Sequence, residues 1–305
     1  MIPYVREIDI DYGRCDVVSP LIRRVTANNP GPFTFRGTGT YIVGHGEVAV
    51  IDPGPDLPEH LAAILAAIPG ERVSHIVVTH HHLDHSPLAR PLADITGAPV
   101  YGRAVARPIQ DDEVPLEAGY DHFTPDVEVS DGAVVSGPGW SLEAIPTPGH
   151  TSNHICYALA EENALFSGDH IMGWSTTVIT PPDGDMTDYL ASLERVRARN
   201  FQTLWPTHGP PITEVAPFID AYIAHRHDRE RQILDMLSGG EKTIAEMVPA
   251  AYAAVDQRLW PAAARSMHAA VIALVKAGRV TCDGEPQLGS RYRLVRGGGD
   301  HESEV

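Results

Sequence analysis

Cysteine is scarce: Cys15, Cys156 and Cys282 are the three in 305 residues, odd in number and far apart. That excludes a disulfide framework and fits a reducing compartment. Long apolar runs are missing too. No stretch approaches the roughly 18 apolar residues of a membrane span, so no membrane association is expected. The opening residues, M-I-P-Y-V-R-E-I-D-I-D, carry acid and lack the apolar centre of a signal peptide, so a cytoplasmic location is expected. Positive charge is short as well. The chain has 23 Lys/Arg against 40 Asp/Glu, a net charge of −17, and its only lysines are Lys242 and Lys276. The deficit is uneven: residues 1–225 hold 12 Lys/Arg against 29 Asp/Glu, and residues 226–296 hold 11 against 8. An acidic body disfavours non-specific grip on polyanions. The mildly basic C-terminal segment is free of that objection.

Histidine, by contrast, is plentiful, with 16 copies, and six residues concentrate it. Within T-H-H-H-L-D-H, His80, His82, Asp84 and His85 form the spacing H-x-H-x-D-H. Three imidazoles and a carboxylate build a poor core, but they are first-row transition-metal ligands. The preceding V-S-H-I-V-V reads as a buried strand, which puts the cluster in the loop at its C-terminal end. His81, between two candidate ligands, is expected to point away. His150 in T-P-G-H-T, Asp169 in S-G-D-H, His208 in T-H-G-P and Asp52 in I-D-P-G also follow strand-like runs beside Gly or Pro. Asp52 suits two roles equally, fixing a ligand histidine by hydrogen bond or closing the D-P-G turn. His154 and His170 lie near ligand loops and are candidates for contact with a ligand or with substrate.

The first half of the chain alternates strand-like and helix-like runs. Thr40–Val43 and Glu47–Ile51 read as strands joined through Gly44-His45-Gly46. Leu57, Leu61, Ile64, Leu65 and Ile68 share one helical face, which Pro69-Gly70 ends. Further short strands are expected near residues 99–101, 127–129, 133–135, 142–145, 155–158, 164–166 and 203–205, with a helix over 185–200. From about Glu214 the pattern turns helical. Three helices and two strand-like pieces in about 70 residues suggest a small winged-helix-like domain. The expected organisation is a metal domain over 1–220, a winged-helix-like domain over 221–296 and a disordered acidic tail over 297–305.

The ligand set, in this order, resembles the metallo-β-lactamase superfamily. S-G-D-H-I-M-G-W-S-T-T-V-I-T-P-P-D-G-D-M-T-D-Y-L, from Ser167, resembles a segment of its β-lactamase-like protein 2 and glyoxalase II-like branch. K-T-I-A-E-M-V, from Lys242, and A-A-A-R-S-M-H-A-A-V-I-A-L-V-K-A-G-R-V, from Ala262, resemble the winged-helix domain of that group. Together these cover nearly the whole chain. One departure stands out: Ser86-Pro87 follows Asp84-His85, where most members have glycines. The resemblance implies an α+β fold, an αββα sandwich followed by a winged-helix-like domain. It implies a first metal on His80, His82 and His150, a second on Asp84, His85 and His208, and Asp169 bridging them. Two Zn²⁺ ions are implied, with iron or manganese as alternatives.

Such a pair holds a bridging hydroxide as nucleophile. Asp84 would orient it and carry its proton to the leaving group, which makes Asp84 the catalytic residue. Within the group, both acyl-thioester hydrolysis and single-strand endoribonuclease activity are implied. The charge distribution places a small-molecule ester, thioester or lactone ahead of single-stranded RNA. An iron-dependent oxidoreductase is less favoured, because no flavin-binding segment is visible. A non-catalytic nucleic-acid-binding module is also less favoured, because the ligand set is complete.

Overall fold

Near-continuous apolar runs place apolar side chains on both faces of a strand, which forces the central strands to be covered twice. In the computed structural model, which describes residues 2–105 and 123–295, they are. Seven strands lie side by side in chain order: β1 (Cys15–Val17), β2 (Ile22–Thr26), β3 (Gly39–Val43), β4 (Glu47–Ile51), β5 (Arg72–Val77), β6 (Val100–Gly102) and β7 (Val127–Glu128). The first four pair antiparallel, and the pairs from β4 to β7 are parallel. Helices α1 (Pro58–Ala66) and α2 (Ala89–Thr96) make the crossovers from β4 to β5 and from β5 to β6. A second sheet holds β8 (Val134–Gly137), β9 (Trp140–Pro146), β10 (Ile155–Leu159), β11 (Ala164–Gly168) and β12 (Thr203–Pro206). It is antiparallel except for β11 with β12, between which the chain forms α3 (Met186–Arg197).

Alternation decides what each face meets. Tyr41, Val43, Ala49, Ile51 and Val77 turn inward against Trp140, Leu142, Tyr157, Phe166 and Trp205 of the second sheet. Ile42, Val48, Val50, Val73 and Ile76 turn outward against Ile64 and Ala67 of the α1 region and Leu92 and Ala93 of α2. Trp140 anchors the inner layer, its indole N–H donating to the Glu47 carbonyl at 2.9 Å. It leaves no room beside it: a Cβ on Gly44 would lie 2.3 Å from its ring, and Gly44 sits at φ +94°. Glycine is the residue that meets both conditions.

The expected elements recur within a few residues. β1 and β2 are additional, because Arg23 and Arg24 interrupt the apolar alternation that marks a strand. Tertiary partners accommodate the Arg23 guanidinium, which bonds the Glu71 carboxylate at 2.6 Å and the carbonyls of Ala67 and Gly44 at 2.9 and 3.0 Å.

The chain divides into two compact units, Met1–Thr177 with Pro182–Ile223, and Val178–Pro181 with Ala224–Val305. Helix α4 (Val215–Ser238) has residues in both. The second unit continues through β13 (Lys242–Thr243), α5 (Ile244–Ala251), α6 (Trp260–Lys276), β14 (Val280–Cys282) and β15 (Arg291–Leu294). Its strands order as β13-β15-β14. Thr243 and Glu246 form a capping box at the start of α5, satisfying two backbone N–H groups reciprocally. Ile233, Leu237, Met247, Val271, Leu274 and Tyr292 pack as its core. The tail expected over 297–305 lies outside the described residues. Among the described residues, no helix is long and apolar enough to cross a membrane.

Candidate metal centre

The loops that leave β5, β9, β11 and β12 at their C-terminal ends carry His80 to His85, His150, Asp169 and His208. Their ligand atoms converge in three overlapping groups: His80, His82 and His150; His80, His85 and Asp169; and Asp84, His85 and His208. In the first, His82 Nδ1 lies 2.9 Å from His80 Nε2 and 3.2 Å from His150 Nε2. Around the others, Asp84 Oδ2 lies 3.0 Å from His208 Nε2 and 3.5 Å from His85 Nε2. Asp169 faces both groups, 3.6 Å from His85 Nε2, 3.4 Å from His208 Nε2 and 3.8 Å from His150 Nε2.

Hydrogen bonds behind the rings select which nitrogen faces inward. Thr79 Oγ1 donates to Asp52 Oδ2 at 2.7 Å and so accepts from His80 Nδ1 at 3.0 Å, leaving Nε2 with its lone pair. His85 Nδ1 donates to Asp52 Oδ2 at 2.9 Å, and His208 Nδ1 donates to the Gly37 carbonyl at 3.2 Å. Both again present Nε2. A partner behind a ligand imidazole fixes tautomer and ring orientation in this way. Asp52 is the common support. It accepts the Thr79 N–H at 2.7 Å and the Thr207 hydroxyl at 3.1 Å as well, so one carboxylate ties the loops after β5 and β12. Asp52 also sits at φ +48°, but its carboxylate does not cap the D-P-G turn: the Gly54 N–H donates to the His85 carbonyl at 2.9 Å instead.

Charge divides the cluster. Burial, with neighbouring imidazoles, holds His80 and His82 well below the usual histidine range, so their rings are neutral. Burial also opposes charge on His85, but Asp84, Asp169 and Asp52 outweigh it and raise its affinity for a proton. His208 is raised likewise, by Asp169 and Asp84. Asp84 and Asp169 are held below the carboxylate range, because His85 and His208 outweigh burial.

The residues fit a divalent cation by an observation independent of their spacing. His85 Nε2, His208 Nε2 and Asp169 Oδ1 are buried without a hydrogen-bond partner, although each has an oppositely polarised atom within 4 Å. Such groups are costly to leave unpaired, and donor atoms gathered within 4.8 Å of one another could share a cation. The donors are imidazole and carboxylate, with no thiolate among them. Cys156 is fully buried, and burial pushes its thiol up to about 12.

The supporting histidines separate. His154 Nε2 accepts the Asp169 N–H at 3.2 Å, and its Nδ1 faces Thr147 Oγ1 at 2.8 Å. Its lone pair is therefore spent on the backbone of Asp169, and the ring positions that residue. His170 is fully buried, with its ring 5.1 Å from that of Tyr189 and its carbonyl accepting from the Tyr189 and Thr177 hydroxyls. It braces the loop away from any open surface. His81 points elsewhere, its Nδ1 lying 3.0 Å from Asn153 Oδ1. Sequence reasoning missed Thr79, Thr147 and Thr207. The signal was present: two of the three directly precede a candidate ligand histidine, in T-H-H and P-T-H.

Residues 34–208 match the metallo-β-lactamase superfamily, and residues 243–289 match the β-lactamase associated winged helix domain. The chain belongs to the metallo-β-lactamase superfamily, with that winged helix appended. It is 35% identical over 233 residues to the β-lactamase-like protein 2 homolog of Caenorhabditis elegans, a match covering 74% of each chain. It is 33% identical over 231 residues to the atrochrysone carboxyl ACP thioesterase of Aspergillus fumigatus, covering 73% of this chain and 67% of that one. Among solved structures, a metallo-β-lactamase family protein from Thermus thermophilus shares the fold with a TM-score of 0.74 at 21% identity, over 92% of this chain and 100% of that one. A β-lactamase domain protein from Burkholderia ambifaria shares it with a TM-score of 0.77 at 18% identity, over 96% and 97%. Superfamily membership with thioesterase-named relatives makes the chain a metal-dependent hydrolase.

Proposed function

We propose that the chain is a dinuclear zinc hydrolase of an acyl bond, in an ester, thioester or lactone. The carrying observation is that two ligand triads converge on one edge with Asp169 facing both. His80, His82 and His150 would hold the first ion, Asp84, His85 and His208 the second, and Asp169 would touch each. Zinc suits these donors, and iron or manganese takes the same set. When bound, such ions acidify water and polarise the oxygen of the group attacked. The chain's own residues do the rest. Asp84 is the more open carboxylate of the cluster, its side chain 26% exposed against 6% for Asp169, so it is the one able to take a proton and hand it to a leaving group. Leu83, its neighbour in the chain, is an exposed apolar residue on the same loop. The free cysteines support a cytoplasmic setting.

An acyl substrate is favoured by the thioesterase-named relatives and by the net charge of −17. Single-stranded RNA is the second reading, favoured by the winged helix and the basic surplus of residues 226–296. Against it, Arg231, Arg258, Arg291 and Arg293 already face carboxylates of their own unit. The test is chelated and zinc-reloaded protein assayed on an acyl-thioester, a lactone, bis(p-nitrophenyl) phosphate and single-stranded RNA. Turnover of the thioester or lactone, lost on chelation, is expected. Activity that survives both chelation and Asp84→Ala would sink the mechanism. RNA cleavage without acyl turnover would reverse the order of the two readings.

A further inference from the structure

The loop that supports His208 carries an arrangement the chemistry above does not use. Phe35 sits at φ +55°, a left-handed conformation that is strained for a bulky residue. Such outliers persist where the surroundings over-determine them, and they gather at ligand clamps. Here the surroundings do so. Asn29 Oδ1 accepts the Thr38 N–H at 2.9 Å, the Thr34 hydroxyl donates to the Asn29 carbonyl at 2.6 Å, and the Gly37 N–H donates to the Thr34 carbonyl at 2.8 Å. The result is a ladder of planar groups. The Phe35 ring stacks on Trp174 at 4.8 Å and 14°, and the Arg36 guanidinium carbon lies 5.5 Å from the Phe35 ring centroid. Trp174 is packed over Gly209, where a Cβ would lie 3.0 Å from its ring, and Gly209 directly follows His208. Gly37, next after Arg36, holds His208 through its carbonyl.

Arg36 is exposed, and among the described residues no carboxylate pairs with it. Acids outnumber bases more than two to one in this unit, and Arg36 directly precedes the glycine whose carbonyl accepts from His208 Nδ1. Stacking over an aromatic face restricts its guanidinium, so less freedom is lost when an anion binds. We propose that the Arg36–Phe35–Trp174 ladder is the specificity element for an oxyanion carried by the substrate, either a phosphate on the thiol arm or a carboxylate on the acyl group. This rests on the acyl-hydrolase reading for the identity of the substrate. The geometry of the ladder stands apart from it.

The test compares butyryl-pantetheine with butyryl-phosphopantetheine, for the thiol-arm phosphate, and with succinyl-pantetheine, for the acyl carboxylate. For zinc-loaded wild type, kcat/KM is expected to be higher for one of the two charged thioesters than for the neutral one. Arg36→Gln is expected to lower that ratio about tenfold, mainly through KM, the loss of one charge-assisted contact. Phe35→Gly, which suits the backbone conformation, removes the ring beneath the guanidinium and is expected to lower the ratio in the same direction. Arg258→Gln, on the second unit, is the charge control and should leave it unchanged. Calorimetric binding of the same three thioesters to the metal-free protein, which cannot turn them over, gives a second readout. If no thioester is hydrolysed but Arg36-dependent preference for one oxyanion persists in binding, the acyl-hydrolase reading falls and the ladder stands. If wild type shows no preference in either readout, or the preference survives Arg36→Gln, the ladder proposal is overturned.

Discussion

His80, His82 and His150 meet as three imidazoles, with His80 and His82 kept neutral by burial. On the other side Asp84 and Asp169 sit with His85 and His208, and every member is shifted toward its charged form by the others. One side offers lone pairs and nothing else. The other sets carboxylates against imidazoles that favour a proton, and it includes Asp84, the more open of its two carboxylates. On the proposed reading, holding an ion and managing a proton would fall to different triads, with Asp169 facing both and Asp52 behind His85.

The sharpest way to break this division is to remove what is shared. Asp169→Asn should lower kcat about a thousandfold, the several kcal/mol that correctly held ions supply, with ion content falling on both sides by elemental analysis. If only one ion is lost, Asp169 does not serve both. Asp84→Asn should lower kcat about a hundredfold, as loss of a proton carrier does, while the all-histidine side keeps its ion. Equal loss of both ions would remove the distinction between the sides. Asp52→Ala strips partners from the Thr79 N–H and hydroxyl, from His85 and from Thr207 together. Metal affinity should fall between about 10-fold and 100-fold by competition with a chelating dye, alongside a stability loss of about 3–5 kcal/mol.

His154→Leu leaves the Asp169 N–H without its acceptor and should weaken metal binding about tenfold with little change in unfolding midpoint. A large fall in midpoint with unchanged affinity would make His154 a core residue alone. The smallest effect separates the scaffold from the centre. Burial lowers His60 from 6.5 to about 4, with its Nε2 2.8 Å from Thr40 Oγ1. The unfolded chain takes up this proton near pH 6.5, and the folded chain resists until about pH 4. Its contribution is therefore fully present above pH 6.5 and lost as pH falls through that window, reaching about 3 kcal/mol. Urea unfolding of chelated protein should show a shallower pH slope for His60→Gln than for wild type. Identical slopes would refute the assignment.

Much of the first unit could be read because its strands are covered on both faces and therefore run nearly continuously apolar, as Tyr41 to Val43 and Val48 to Ile51 show. Where burial of charge depends on distant partners, reading failed. Arg23 looks like a surface residue until Glu71 and two carbonyls are brought to it. The ligand candidates were legible because histidine and aspartate at strand ends have few other uses in such numbers. Asp52 was legible only in outline, since the D-P-G turn is local and Thr79, His85 and Thr207 are not. His154 and His170 look alike in sequence, each close to a ligand, and differ only in what the fold sets against the ring. The threonines before the ligands were passed over because a lone hydroxyl carries no signal until its acceptor is known.

The bond from Thr207 to Asp52 spans 155 residues of chain. Closing so long a loop costs chain entropy that local contacts do not. A nascent chain ending before Thr207 holds six of the seven ligand candidates and lacks His208. If the proposed ligand set holds, uptake of the full complement of ions would report that the first unit has closed from β4 to β12, and a chain truncated before Thr207 should bind fewer.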